Sequence, residues 1–290
     1  MKKLIGILLL STLSFNLVSL DVSAKESEEI NEENPIIEPI ELNTNQIQEL
    51  QDLGFDNDEI YSMSKEEYDN FGNLNGELTD KDENYYKVVT NLEGEIIEST
   101  EISEEVAENL LDIQNNQISL LAAKVKETKT TGLLKMSLSS SKLSGGKILL
   151  KNSYRWLKAP AIGLKDVVAI SHGANAVKVK GTLVSKHKYS DGQGVHNVKA
   201  SATKLNYYGV AKTFDVKVIG ADVSPYDQHG YISVQVEKAN KNDIKSNGYG
   251  HYTHVTLGIT GTVDIKSGNI SIGGAIKKTA MNDVMVTFKY

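Results

Sequence analysis

AVKVKGTLVSK, residues 176–186, alternates apolar and polar side chains at nearly every step. A period of two sends successive side chains to opposite faces of a strand, so the stretch predicts β-structure with one dry face and one wet, lysine-bearing face. The pattern returns in residues 195–205, 214–219, 231–236 and 255–265, and again in 270–272 and 284–288. Turn residues fill the gaps, as at Asp191-Gly192, Lys266-Ser267-Gly268-Asn269 and Asn282-Asp283. Short alternating strands at this spacing predict an antiparallel, sandwich-like all-β domain over residues 133–290, with almost no helix.

Upstream of residue 133 the period lengthens to that of a helix. Asn45 with Gln48 offers a capping box for Ile47, Leu50 and Leu53, which Gly54 ends. Asp56 or Asn57 caps a second short helix carrying Ile60 and Met63. Ser64 with Glu67 starts a third, with Tyr68 and Phe71 apolar and Gly72 closing. Residues 85–90 and 95–100 read as a hairpin around Asn91-Leu92-Glu93-Gly94. Ser103 then caps a longer helix with Val106, Leu110, Ile113, Ile118 and Leu121 on one stripe. Residues 42–123 therefore read as an acidic, mainly helical region with a hairpin, and the chain as α+β overall. Residues 124–132, KVKETKTTG, read as a linker open to trypsin-like proteases.

The first 24 residues have the parts of a secretory signal: Lys2 and Lys3, an apolar run, and the small-residue exit Val22-Ser23-Ala24. Residues 25–41 are acidic and carry Pro35 and Pro39, which predicts a disordered leader. The charges separate along the chain. Residues 25–123 hold 27 Asp and Glu against 4 Lys, and residues 124–290 hold 10 Asp and Glu against 25 Lys and Arg. Opposite fields on one chain predict intramolecular contact, with the acidic part masking the basic one until the linker is cut. There is no cysteine, so no disulfide, lipobox or thiol chemistry is available. The four prolines leave no LPxTG-like sorting signal, and the expected location is extracellular, free or loosely held at the wall.

No catalytic signature emerges, and a non-enzymatic protein without cofactor is expected. His251-Tyr-Thr-His254 is the nearest approach to a metal pair, but an i, i+3 spacing diverges on a strand. Asp80-Lys-Asp82 imitates a calcium loop, yet Tyr85 and Asn91 stand where Gly and Glu belong. No G-x-S-x-G elbow occurs, and the adjacency of Ser171 and His172 says nothing of their geometry. Asp166 and Asp215 sit in apolar surroundings without a second carboxylate in view, and Gly145-Gly146-Lys147 lacks the rest of a phosphate loop. Candidate ligand-binding residues are the aromatic–cation group Tyr154, Arg155 and Trp156, and the cluster Tyr249, His251, Tyr252 and His254. Burial of Trp156 in the core is the simpler reading of the first group.

The segments Leu53-Gly-Phe55, Glu59-Ile60, Met63-Ser64, Glu67-Tyr68, Tyr85-Tyr-Lys-Val88 and Ile96-Ile-Glu-Ser99 resemble the N-terminal part of secreted proteins of Bacillus-type Gram-positive bacteria. Tyr154-Arg-Trp156, Pro160, Asp166 and Tyr249-Gly-His-Tyr-Thr-His254 are similar to their C-terminal β part. The resemblance implies secretion and the two-part layout, and carries over no catalytic residue. The expected function is binding of an anionic surface (cell-wall polymer, membrane or other polyanion) by the basic domain. The alternative is the precursor of a membrane-active or pore-forming β-protein, with residues 253–276 as the inserting stretch.

Overall fold

The computed structural model describes residues 34–91, 96–118, 129–158, 165–217, 226–259, 263–273 and 275–290. A short strand, β1 (Ile36–Ile37), precedes three helices: α1 (Thr44–Asp52), α2 (Asn57–Tyr61) and α3 (Lys65–Phe71). Each helix opens on a complete capping box, formed by Asn43 with Gln46, Asp56 with Glu59, and Ser64 with Glu67. In each, the cap side chain accepts the N–H three residues on, and that residue's side chain accepts the cap's N–H. The first box lies two residues before the expected Asn45, because Asn43 takes the extended backbone that an N-cap requires.

The acidic hairpin follows as β2 (Gly76–Asn91) and β3 (Ile96–Ile102), in register from Tyr85↔Ile102 to Thr90↔Ile96. Its turn, residues 92–95, lies outside the described residues. Helix α4 (Glu104–Ile118) begins where Ser103 Oγ accepts the Val106 N–H at 3.3 Å. The remaining strands are β4 (Lys129–Leu143), β5 (Ile148–Lys158), β6 (Lys165–His172), β7 (Ala176–Lys178), β8 (Val184–Ser190) and β9 (Val195–Asn197). They continue as β10 (Ala200–Asn206), β11 (Gly209–Asp215), β12 (Tyr226–Lys238), β13 (Lys245–Ile259), β14 (Val263–Lys266), β15 (Asn269–Ile272), β16 (Ala275–Ala280) and β17 (Val284–Lys289). Among the described residues from 133 onward there is no helix, and the chain is mostly antiparallel β-sheet with a few helices.

One sheet runs β1-β9-β8-β12-β5-β4-β2-β3, with β7 also on β12. The other runs β10-β11-β6-β13, and β17 and β16 share the far edge of β13. The main core lies between them. Leu134, Met136, Leu138, Leu150, Trp156, Ile232 and Val234 of the first sheet meet Val168, Ile170, Val210, Phe214, Tyr252, Val284 and Val286 of the second. A second core forms where α1–α3 cover the outer face of the first sheet: Leu50, Leu53, Phe55, Ile60, Met63 and Phe71 close on Leu143, Leu149 and Tyr231. The hairpin β14–β15 covers the outer face of the second sheet, setting Val263, Ile265 and Ile272 on Val167, Ala169 and Ala211. The order is thus helices, sheet, sheet, hairpin.

Several expectations change. The decisive alternating stretch is not one strand: β7 and β8 both lie along β12, separated by a turn in which Gly181 has φ +82°. That left-handed backbone suits glycine and breaks the run. Residues 195–205 divide between the two sheets as β9 and β10. Residues 34–41, expected in the disordered leader, are ordered because β1 pairs with β9, Ile40 N–H donates to Met63 O at 2.9 Å, and Ile37 is buried. The signal segment 1–24 and leader residues 25–33 lie outside the described residues. So do residues 124–128 of the expected linker, and residues 129–132 already belong to β4. Asn34–Tyr290 forms one compact unit: β2 pairs with β4 from Gly76↔Leu143 to Asn91↔Lys129, so acidic and basic segments share a sheet.

Candidate functional site

The seam between the helices and the first sheet holds two buried lysine–glutamate pairs. Lys151, only 2% exposed on β5, donates to Glu59 Oε1 and Oε2 at 2.8 and 2.6 Å and to Ser153 Oγ at 2.6 Å. Lys188 on β8 pairs with Glu67 at 2.7 Å and donates to Ser62 O at 2.6 Å. Burial holds the Lys188 ammonium below its ordinary pKa, and the charge of Glu67 opposes that fall. Glu59 and Glu67 are the same carboxylates that close the capping boxes of α2 and α3. Arg155, a sequence candidate, stands at this seam between Asp58 and Asp227, and Lys186 pairs with Glu66 at 3.0 Å. A void of about 10 Å³ beside Arg155 has room for no more than one water.

Four other candidates lie inside the main core. Trp156 Nε1–H donates to Tyr252 OH at 2.9 Å, Tyr252 OH donates to Asp166 Oδ2, and His254 Nδ1 meets Asp166 Oδ1 at 2.6 Å. Burial, reinforced by the Asp166 charge, lifts the Tyr252 phenol well above its ordinary pKa, so it stays a neutral donor. Tyr154 stacks on Phe214 at 5.0 Å. His187 stacks on the same ring at 4.0 Å, and burial followed by the positive charge of Lys212 brings its pKa down to about 3. Asn152 of β5 bridges the two sheets, donating to Ala169 O of β6 and His251 O of β13. Gly250 makes the room, since a Cβ there would stand 2.5 Å from Asn152 Oδ1.

The period of two that takes Tyr252 and His254 inward takes Tyr249 and His251 to the outer face. Tyr249 packs by the β14–β15 turn at Gly268. His251 Nδ1 lies 2.6 Å from Asp283 Oδ1, and its Nε2 lies 2.8 Å from Ser171 Oγ. A carboxylate at Nδ1 favours the tautomer with its N–H there, leaving Nε2 to accept from the serine. This is the hydrogen-bond order of a nucleophilic serine relay. Access argues against that use. Ser171 and His251 are buried, and Ser171 sits mid-sheet in register with Gly209 and Tyr249, its backbone committed to two ladders. A cavity of about 360 Å³ opens beside the imidazole, between Thr253, Asn269, Ser271, Lys278, Asn282 and Asp283. The sequence offers no signal for this convergence, because the three residues come from β6, β13 and the turn before β17.

A third feature is the end of the molecule where β4 meets β5 and β12 meets β13. The registers Lys142↔Ile148, Ile148↔Val236 and Val236↔Lys178 bring Lys142, Lys147, Lys178 and Lys180 to that end. Lys238, Lys241, Lys245 and Lys289 join them, the last two as register partners. Most of the eight are exposed. The carboxylates at this end are Glu237, Asp243, which accepts the Asn240 N–H at 2.7 Å, and Glu77 of β2, the register partner of Lys142. Ile244 and, on the β10–β11 turn, Tyr207 stand out from the same end, 73% and 50% exposed.

Among the described residues, no group of three or more His, Asp or Glu could hold a metal ion, and no helix is long and apolar enough to cross a membrane. No protein-family model matches the chain, and neither does any curated protein. Among solved structures it is similar to the collagen binding domain of the Erysipelothrix rhusiopathiae surface protein RspB, at 7% identity and TM-score 0.27, over 55% of this chain and 65% of that one. It is similar to a structure concerned with adhesion by the Fap1 fimbriae of Streptococcus parasanguinis, at 14% identity and TM-score 0.25, over 52% and 78% of the two chains. It is also similar to a structure of manganese lipoxygenase of Gaeumannomyces graminis with part of a zonadhesin of Komagataella pastoris, at 7% identity and TM-score 0.26, over 74% and 88%. Likenesses this distant assign no activity to the chain.

Proposed function

We propose that this chain is an exported binding protein whose lysine-rich end docks on an anionic surface. The observation that carries the reading is the distribution of its cations. Lys151, Lys186, Lys188 and Arg155 are taken up by Glu59, Glu66, Glu67 and Asp58 of the helical layer. The lysines at the β4–β5 and β12–β13 end remain outside that layer. Lysine-heavy, arginine-poor charge suits diffuse attraction to an extended anion rather than bidentate recognition.

The acidic region belongs to the fold in this reading and is not a removable mask. Asp82 and Asp80 on β2 accept the Met285 and Thr287 N–H groups at 2.8 Å, closing the free edge of β17. A cut near residues 124–128 leaves β2 paired along β4. In the pore-forming alternative, residues 253–276 include β14 and β15, of 4 residues each. A spanning strand needs about 9–11; β13, whose last residues begin the stretch, has 15, so that route would demand refolding of β14 and β15.

Binding of residues 25–290 to phosphatidylglycerol vesicles and to teichoic acid, measured across a salt series, tests the proposal. Reversing Lys238, Lys241, Lys245 and Lys289 to Glu should abolish low-salt binding. Lys165→Glu, at the opposite end of β6, should leave it intact. Equal binding by the two variants would end the reading.

A further inference from the structure

We infer that the anionic surface is a lipid bilayer, entered by Ile244 and Tyr207 from the lysine-rich end. The inference rests on the anionic-surface reading above and names its partner. Ile244 is the most exposed large apolar side chain among the described residues, at 73%. It is held out by an ordered loop: its carbonyl accepts the Tyr290 N–H at 3.2 Å, and the Asn240–Asp243 turn before it is closed by the Asp243 N–H on Asn240 O at 3.1 Å. Tyr207 is similarly fixed. Asn206 Oδ1 accepts the Tyr208 N–H at 2.9 Å, and the Tyr207 ring meets His172 edge-on at 6.4 Å.

A single exposed apolar residue is ordinary on a soluble protein. Here two stand on loops at the end where lysines converge, on either side of β6 in the sheet order, with Lys241 and Lys245 flanking Ile244 in sequence. Lys178 Nζ donates to Asn206 O, so the lysine set reaches the Tyr207 turn as well. A soluble polyanion would be attracted by the lysines and gain nothing from an isoleucine. A bilayer interface rewards both: headgroup charge attracts the ammoniums, the acyl boundary takes the isoleucine, and a tyrosine ring suits the level between. Both side chains already project from hydrogen-bonded loops, which lowers the ordering cost of insertion.

The test compares the mature chain, residues 25–290, with Ile244→Ser and with Lys241→Glu/Lys245→Glu. Each is titrated with vesicles of phosphatidylglycerol and phosphatidylcholine and, separately, with inorganic polyphosphate. Ile244→Ser should weaken vesicle binding about ten-fold and leave polyphosphate binding unchanged. The charge reversal should weaken both. Ile244 is exposed, so its replacement leaves the fold intact, which thermal melting verifies. Unchanged vesicle affinity in Ile244→Ser, or binding to polyphosphate without binding to vesicles, overturns the lipid assignment and leaves a charge-only surface. Failure of the unaltered protein to bind either probe overturns the underlying reading instead.

Discussion

Replacing Glu59 by alanine tests whether the helical layer is locked to the sheet by a dry ion pair. Lys151 is 2% exposed and Glu59 6%, and the ammonium also lies 4.6 Å from the centre of the Phe55 ring. Removing one partner of such a pair strands a charge in a low-dielectric site, at a cost of about 3–5 kcal/mol. At roughly 2–4 °C per kcal/mol for a folded unit of this size, melting should fall by about 6–20 °C. The double replacement Glu59→Gln/Lys151→Met removes both charges and should recover most of the loss, because an apolar substitute avoids the desolvation that the pair must offset. Calorimetry together with urea midpoints on Glu59→Gln, Lys151→Met and the double gives the coupling energy. A Glu59→Ala loss below about 1 kcal/mol would mean that water reaches Lys151 and the seam is wet. Additive losses in the double would deny the coupling altogether.

Two further tests concern the buried histidines. The folded pKa of His187 is depressed to about 3 from the ordinary 6.5. The unfolded chain therefore binds a proton that the folded one refuses, so this contribution is fully present above pH 6.5 and is lost as pH falls toward 3. Between pH 7 and pH 5 the unaltered protein should lose about 2 kcal/mol more than His187→Gln, read from urea midpoints at the two values. Equal losses would show that His187 protonates freely in the fold. Ser171 should resist a fluorophosphonate probe in the native protein, and Ser171→Ala should cost about 1 kcal/mol as His251 Nε2 loses its partner. Mass-spectrometric labelling of Ser171 would instead reveal a working nucleophile under the β14–β15 hairpin.

The sequence alone determined the features that act over a few residues. Ser64 with Glu67 and the stop at Gly72 define α3, because capping chemistry operates within one turn. The hairpin of β2 and β3 was legible for a similar reason, and so was the divergence of His251 and His254, which a strand's period of two enforces wherever the strand sits. The extent of β2 was not, since its Gly76–Leu78 end pairs with residues more than sixty positions away in β4.

The tertiary structure decided what covers each face. Alternation distinguishes two faces of a strand but not whether the wet one meets solvent or another layer. On β5 every side chain from Ile148 to Tyr154 is buried, because helices cover the outer face, and so Lys151 became a core residue although it reads as a surface lysine. Glu67 reads as a simple helix cap and proved to be the partner of Lys188, and Glu59, to which the sequence assigned no role, proved to be that of Lys151. The same physics sent Tyr154, Trp156, Tyr252 and His254 inside, left Ile244 outside, and brought Ser171, His251 and Asp283 together across strands. Each outcome depends on contacts between segments far apart in the chain, whose geometry is set by strand order and layer packing rather than by any local pattern.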